Sequence, residues 1–386
     1  MSDQIAIGSS SLPDPLAAAQ EAADKARSSL GNRPVTLALV FATGAHLAAA
    51  EAVCERIHSI LEPEALAGCA SDSVLVGEGA LEGDTAIIVW AASFDGGEAA
   101  AFHLAAPVDR ARLPPYSGLS GALLFADRYS YPIVHVLSDL AEGIPGVAMV
   151  GGSASARTED NRAVLFVDDQ VMSTGMICVC LRGIEMVPVV AEASVPVGPE
   201  MLVTRADRHV VYEISDRPAT DALQSALDAL TPAEERVLEG AKLEFGIDPT
   251  RERHWVPRRI LRSDANEGEI VVGATIDTGE PVRLLAYSEY LADDALRRGL
   301  ASCREALGGR TPAGALVFSC VDRDVERNGH AAHDMTIVSE SLGAAPTGGY
   351  TSLGEIGPVN GRPRALGGTT VVAVFPGRRR RLVDGP

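Results

Sequence analysis

An apolar strand ending in Phe and a small or polar residue occurs three times in this chain, and a glycine turn follows it each time. The strands read TLALVFAT at 36–43, GALLFAD at 121–127 and GALVFSC at 314–320. The turns read AGCASDS at 67–73, VGGSASA at 150–156 and GGYTSLGEIGP at 348–358, and a β-rich run follows each. Recurrence on this scale implies one supersecondary unit used repeatedly, with a glycine turn placed near a strand end. Such an arrangement builds pockets at strand tips without stating what they hold.

The segments between these landmarks alternate in period. Residues 14–30 are Ala-rich with helical apolar spacing and enter through Pro15 at the first turn. Helices are predicted over 46–61, in IVHVLSDLAEGI, in ATDALQSALDAL with Thr220 or Asp221 as its cap, over 289–307 and over 331–342. The β-rich, Pro-punctuated text from about 185 to 222 reads as strands that close the first domain. Strand–helix–strand order predicts an α/β fold, with two closely packed α/β domains, mixed β-sheets and repeated strand–helix–strand units. The expected division is 1–222, 223–376 and a basic flexible tail over 377–386, where Arg378 to Arg381 form a run.

Composition narrows the function classes. A formal charge of −19 argues against nucleic-acid partners and disfavours anionic membranes. No opening apolar run has signal-peptide character and no stretch of about 18 apolar residues suggests a membrane span, so a cytoplasmic location is expected. Aromatics make up only 4% of the chain, so the cores are expected to be built mainly from Ala, Val, Leu and Ile. Cys54, Cys69, Cys178, Cys180, Cys303 and Cys320 show no paired CxxC zinc spacing, and reduced thiols are the simplest reading. Cys178 and Cys180 alternate in MICVCL and share one sheet face.

Together, GSSSLPDPLAAAQEA, LALVFAT, AGCASDS, LLFAD and VGGSASA in the first half resemble the N-terminal domain of the FIST family. GALVFSCVDRD, HDMTIVSESLG, GGYTSLGEIGPVNG and TTVVAVF resemble its C-terminal domain, so the resemblance covers nearly the whole chain in tandem. It implies a bacterial small-ligand sensory module of signal transduction, with no F-box-like segment before residue 30 and no room for a kinase or cyclase. A small polar metabolite, amino-acid-like in chemistry, and a signalling protein are the partners it implies. The chain departs from the family pattern in GGYTSLGEI, which lacks a second aromatic, and in SCVDRD, which lacks a glycine after the cysteine.

The candidate ligand-binding residues are Cys320, Arg323, Gly349, Tyr350, Ser352, Glu355, Gly151 and Gly152. Glycines of GGYTSLGEIGP allow a ligand close to backbone N–H groups, or merely permit a bulge. Glu355 offers acceptors to an ammonium or hydroxyl, and Tyr350 a flat face with a polar tip. Arg323, just past a strand end, can clamp a carboxylate or phosphate, or pair with Asp322, Asp324 or Glu355. Cys69 and Ser71 match the place of Tyr350 and Ser352 in the third unit, as Gly151, Gly152 and Ser153 do in the second. Neither a Walker motif, a GxSxG elbow nor GxGxxG is present. No cofactor, metal site or catalytic set is expected, although His330 and His333 stand three apart. The leading function is therefore a ligand sensor, with a protein-interaction scaffold and a cysteine-dependent enzyme using Cys320 and His333 as alternatives.

Overall fold

The computed structural model describes residues 3–82, 85–105, 118–248, 251, 253–321, 323 and 332–377. His330, Asp322, Asp324 and the run Arg378 to Arg381 lie outside the described residues. The fold is mixed α/β, and the chain divides into two compact units, one of residues 1–191 with 296–386 and one of residues 192–295.

The first unit is built from one motif used three times. In the first copy, β1 (Gln4–Ser10) leads to helix α1 (Pro15–Leu30), β2 (Leu37–Ala42), α2 (Ala50–Leu61) and β3 (Ala65–Ala70). A short hairpin, β4 (Ser73–Val76) and β5 (Gly79–Glu82), precedes the returning β6 (Ile87–Ser93). The second copy runs β7 (Glu98–Leu104), β8 (Leu119–Ala126), α3 (Ile133–Gly143) and β9 (Ala148–Ser153), then the hairpin β10 (Leu165–Val167) and β11 (Gln170–Met172), then β12 (Met176–Arg182). The third opens with β13 (Val187–Glu192), after which the chain forms the second unit.

That second unit carries an eight-stranded antiparallel sheet made of β14 (Ser194–Asp207), β15 (Val210–Ile214), β16 (Arg217–Pro218), β17 (Lys242–Ile247), β18 (Val256–Arg258), β19 (Ile260–Asp264), β20 (Glu269–Val272) and β21 (Pro281–Tyr287). Helices α4 (Ala219–Asp228) and α5 (Pro232–Leu238) belong to it. Residues 194–218 pair with β20 and β21 and so fall in this second compact unit. Neither Thr220 nor Asp221 caps α4, which starts directly after Pro218 without a side-chain cap. The third copy resumes with α6 (Glu289–Leu307), β22 (Pro312–Cys320), α7 (Ala332–Leu342) and β23 (Thr347–Ser352), the hairpin β24 (Glu355–Val359) and β25 (Arg362–Ala365), and β26 (Thr369–Pro376).

Each copy centres a six-stranded sheet on a parallel pair: β2 with β3, β8 with β9, β22 with β23. The strand orders are β1-β6-β2-β3-β10-β11, β7-β12-β8-β9-β24-β25 and β13-β26-β22-β23-β4-β5. The three orders match element for element, and each terminal hairpin comes from another copy. The first copy gives β4–β5 to the third sheet, the third gives β24–β25 to the second, and the second gives β10–β11 to the first. The exchange is cyclic.

The inner faces of all three sheets share one core. Phe41, Phe125 and Phe318 stand at equivalent registers opposite Cys69, Gly152 and Tyr350, and all are buried. Tyr350 lies 4.7 Å from Phe41, 5.5 Å from Phe318 and 6.3 Å from Phe125 between ring centroids. Such pairs contribute roughly 0.5–1.5 kcal/mol each beyond simple burial. Trp90, Phe94 and Phe375 join these rings in the same core, with Ala, Val, Leu and Ile around them. Trp90 ties two sheets together by donating its indole N–H to the Ala315 carbonyl at 3.2 Å.

The outer faces take helices. Asp14 caps α1 by accepting the Ala17 N–H at 2.8 Å, and Pro15 fits its first turn. An alanine stripe (Ala18, Ala19, Ala22, Ala23 and Ala26) is fully buried. It lets the helix backbone rest on β1, where a Cβ on Gly8 would meet the Ala22 carbonyl oxygen at 1.8 Å.

Candidate functional site

The three parallel pairs all run toward the same aromatic cluster, so their carboxyl ends gather polar residues above it, the usual place for ligand groups in α/β sheets. In the third copy, β22 alternates: Phe318 enters the core, Ser319 faces α7, and Cys320 returns toward the inner side. Two distinct polar assemblies follow from that alternation.

On the α7 side sits Asp334, in the helix's first turn. Its Oδ2 accepts from the Ser319 hydroxyl at 2.7 Å, the Thr370 hydroxyl at 2.5 Å and Arg323 Nε at 3.1 Å; its Oδ1 accepts from Arg323 Nη2 at 2.8 Å. Both side chains of this ion pair are buried, 1% and 2% exposed. Arg323 is thus clamped by Asp334 rather than by Glu355, and it lies across β22 from the glutamate. The pair fixes the start of α7 against β22 and β26.

On the inner side sits Glu355, the first residue of β24 and fully buried. Its Oε1 accepts from the Ser352 hydroxyl at 2.5 Å and its Oε2 from the Thr369 N–H at 3.2 Å, while the Cys320 thiol also hydrogen-bonds the carboxyl. Burial pushes this carboxyl up to about 8, and those three neutral partners pull only partly the other way. Cys320 Sγ accepts the Gly368 N–H at 3.3 Å. The acidic group set beside Cys320 is therefore Glu355.

The glycines explain how these groups fit. Glu355 pairs across the sheet with Gly152 of β9. A Cβ on Gly152 would stand 2.8 Å from Ser352 Cβ and 3.1 Å from the Tyr350 hydroxyl. Gly151 and Gly349 are crossing points of backbone: a Cβ there would lie 1.9 Å from the Leu124 carbonyl oxygen and 1.8 Å from that of Val317. Gly68 repeats this in the first copy, 1.8 Å from the Val40 oxygen. Tyr350 is fully buried among Phe41, Phe125 and Phe318. Its hydroxyl lies beside the Cys69 thiol without a hydrogen bond of good geometry, and burial pushes both groups far toward their neutral forms.

The structure thus gathers Cys320, Tyr350, Ser352, Glu355 and Gly152, uses Gly151 and Gly349 for close packing, and sets Arg323 apart. Sequence reasoning missed Asp334, Thr369, Thr370 and the neighbouring hydroxyl cluster. There Ser71 Oγ lies 3.1 Å from Ser155 Oγ and donates to the Thr351 carbonyl at 2.9 Å, one residue from each copy. Ser71 and Ser155 in the repeated turns were the available signal.

The turn Leu353–Gly354 joins this site to the second copy. The Ser153 N–H donates to the Gly354 carbonyl at 2.9 Å, the Leu353 N–H to the Ser153 carbonyl at 3.2 Å, and Arg128 Nη1 to the Leu353 carbonyl at 2.5 Å. Arg128 and Arg157 both lie over the exposed Tyr129 ring, 5.9 and 5.0 Å from its centroid. Among the described residues, no group of three or more His, Cys, Asp or Glu is placed to hold a metal ion.

Family models match this chain as a FIST N domain over residues 36–217 and a FIST C domain over residues 219–358. The chain belongs to the FIST family. FIST domains are associated with small-ligand sensing in signal transduction. The chain is similar to "Uncharacterized protein Mb0898c" of Mycobacterium bovis, 31% identical over 382 residues, covering 96% of this chain and 98% of that protein. It is also similar to "Uncharacterized protein Rv0628c" of Mycobacterium tuberculosis, 30% identical over 387 residues, covering 96% and 99%. The FIST domains meet at residues 217–219, between β16 and α4 and inside the second compact unit. Among the described residues no helix is long and apolar enough to cross a membrane.

Proposed function

We propose that this FIST protein is a cytoplasmic sensor that binds a small polar metabolite, such as an amino acid, at the strand tip of the third copy. Cys320, Ser352, Glu355 and Gly152 form the walls, Tyr350 the floor, and Gly151 and Gly349 let the backbones close around it. Arg323, held by Asp334 on the other side of β22, takes no direct part in this set. The halves 1–222 and 223–376 act in this reading as one sensor, read by a signalling protein.

The observation that supports it best is Glu355: a carboxyl without a charged partner among the described residues, fully buried at the carboxyl end of a parallel pair. Buried acids are costly to keep, and unmatched ones concentrate at sites of binding or chemistry. Native mass spectrometry of freshly purified protein tests for a retained small molecule, and a thermal-shift screen of amino acids, organic acids and nucleotides tests for an added one. Ligand at about 100 times its dissociation constant adds about 2.7 kcal/mol of stability. A screen without hits, or hits unchanged by Glu355→Gln and Ser352→Ala, refutes the reading.

A further inference from the structure

We propose that the group recognised at Glu355 is a positively charged amine, and that its arrival ionises the Glu355 carboxyl and releases the proton to solvent. The inference rests on the reading that a ligand binds at this strand tip, and it names the chemistry of that ligand.

The surroundings of the carboxyl carry it. From β23 come Tyr350 and Ser352, from β22 Cys320, from β26 Thr369, and from β9 only the glycine Gly152. Cys69 of β3 stands behind Tyr350. Each of these is a hydroxyl, a thiol, a phenol or a backbone N–H, and among the described residues no charged side chain contributes to the carboxyl's electrostatics. The nearby guanidinium groups are engaged elsewhere, Arg323 with Asp334 across β22 and Arg128 on the Leu353 carbonyl.

Burial without a counter-charge favours the neutral acid, consistent with a carboxyl pushed up to about 8. An anionic ligand has no counter-charge here, and a neutral one only exchanges hydrogen bonds. A cation supplies what the site lacks. The exchange balances: an ammonium enters, the carboxylic acid O–H breaks heterolytically, an ammonium–carboxylate pair remains and one proton leaves to buffer. The turn Leu353–Gly354 adjoins Glu355 in the chain, and its Leu353 carbonyl accepts from the exposed Arg128.

The experiment is calorimetric titration of the full chain at pH 7 in PIPES and in HEPES, buffers of different ionisation enthalpy. The probes are ethanolamine, putrescine and glycine, with glycolate and ethylene glycol as counterparts lacking an ammonium. Ammonium-bearing probes are expected to bind at least about tenfold more tightly than those counterparts, releasing about one proton each. Affinity for ethanolamine should rise about tenfold from pH 6 to pH 7 and level off above pH 8. Glu355→Gln should lose both the affinity and the proton release. Binding of glycolate or ethylene glycol in preference to the amines overturns the inference and leaves the ligand site standing. Amine binding without proton release overturns it in the wild-type chain, whatever the fate of the variant. No binding by any of these probes overturns it as well, and the wider metabolite screen then decides the ligand site separately.

Discussion

Gly349 crosses Val317 so closely that a Cβ on the glycine would sit 1.8 Å from the valine's carbonyl oxygen. The same contact recurs between Gly151 and Leu124 and between Gly68 and Val40, at 1.9 and 1.8 Å. Each pair spans one of the three parallel ladders, one step before the residue opposite the central phenylalanine. The obstacle is backbone, which cannot swing aside. Gly349→Ala is therefore expected to cost about 3 kcal/mol or more, the upper end for overpacking a core. Urea denaturation measures it, and a loss under about 1 kcal/mol would contradict the packing described.

The cyclic hairpin exchange makes the two sequence halves interdependent. Without residues 219–386 the second sheet lacks β24 and β25, the third lacks β22, β23 and β26, and Phe41 and Phe125 lose Phe318 and Tyr350. A fragment of residues 1–218 should show no cooperative thermal transition alone and regain one when refolded with residues 219–386. Cooperative unfolding of the isolated fragment would show that the halves are separate domains.

Much of this fold was legible because local rules and tertiary packing agree. Pro15 after Asp14 starts α1, and TLALVFAT, GALLFAD and GALVFSC are apolar on both faces because core and helices enclose them. The destination of each hairpin was not legible. Residues Ser73–Val76 read as a strand in any sheet, and only pairing with Gly348–Tyr350 assigns them to the third. Likewise Val195, Val197 and Val203 alternate as they would in any antiparallel sheet, so their membership in a second unit is a tertiary fact. At the site, Glu355, Tyr350 and Ser352 stood out beside glycines, whereas Arg323 pointed to acids nearer than Asp334. Its true partner required knowing that α7 begins against β22.

The Arg323–Asp334 pair gives a third expectation. Both side chains are almost fully buried, and Asp334 also takes two hydroxyl hydrogen bonds. Removing one partner strands the other charge, at a cost of about 3–5 kcal/mol. Asp334→Ala should thus shift the urea midpoint strongly, by an amount insensitive to salt because the pair is shielded from solvent ions. A loss below about 1 kcal/mol, or one erased by 1 M salt, would mean that the pair is open to water.

Glu355 makes folding stability depend on pH in an unusual direction for an acid. Its carboxyl stands at about 8 in the folded chain against the ordinary value of 4.5. Between those values the folded state holds the proton more tightly than the unfolded one. Stability is therefore fully present below about pH 4.5 and is lost as pH rises through 8. The slope approaches about 1.4 kcal/mol per pH unit, and the total is on the order of 5 kcal/mol. Other groups titrate too, so the informative quantity is the difference between the wild type and Glu355→Gln, in which this proton is absent. Urea unfolding of both at pH 5 and pH 8.5 should show the variant gaining on the wild type at the higher pH by a few kcal/mol. A difference that stays constant with pH would place the Glu355 carboxylate in contact with water or a cation, and the neutral-acid description of the site would fall with it.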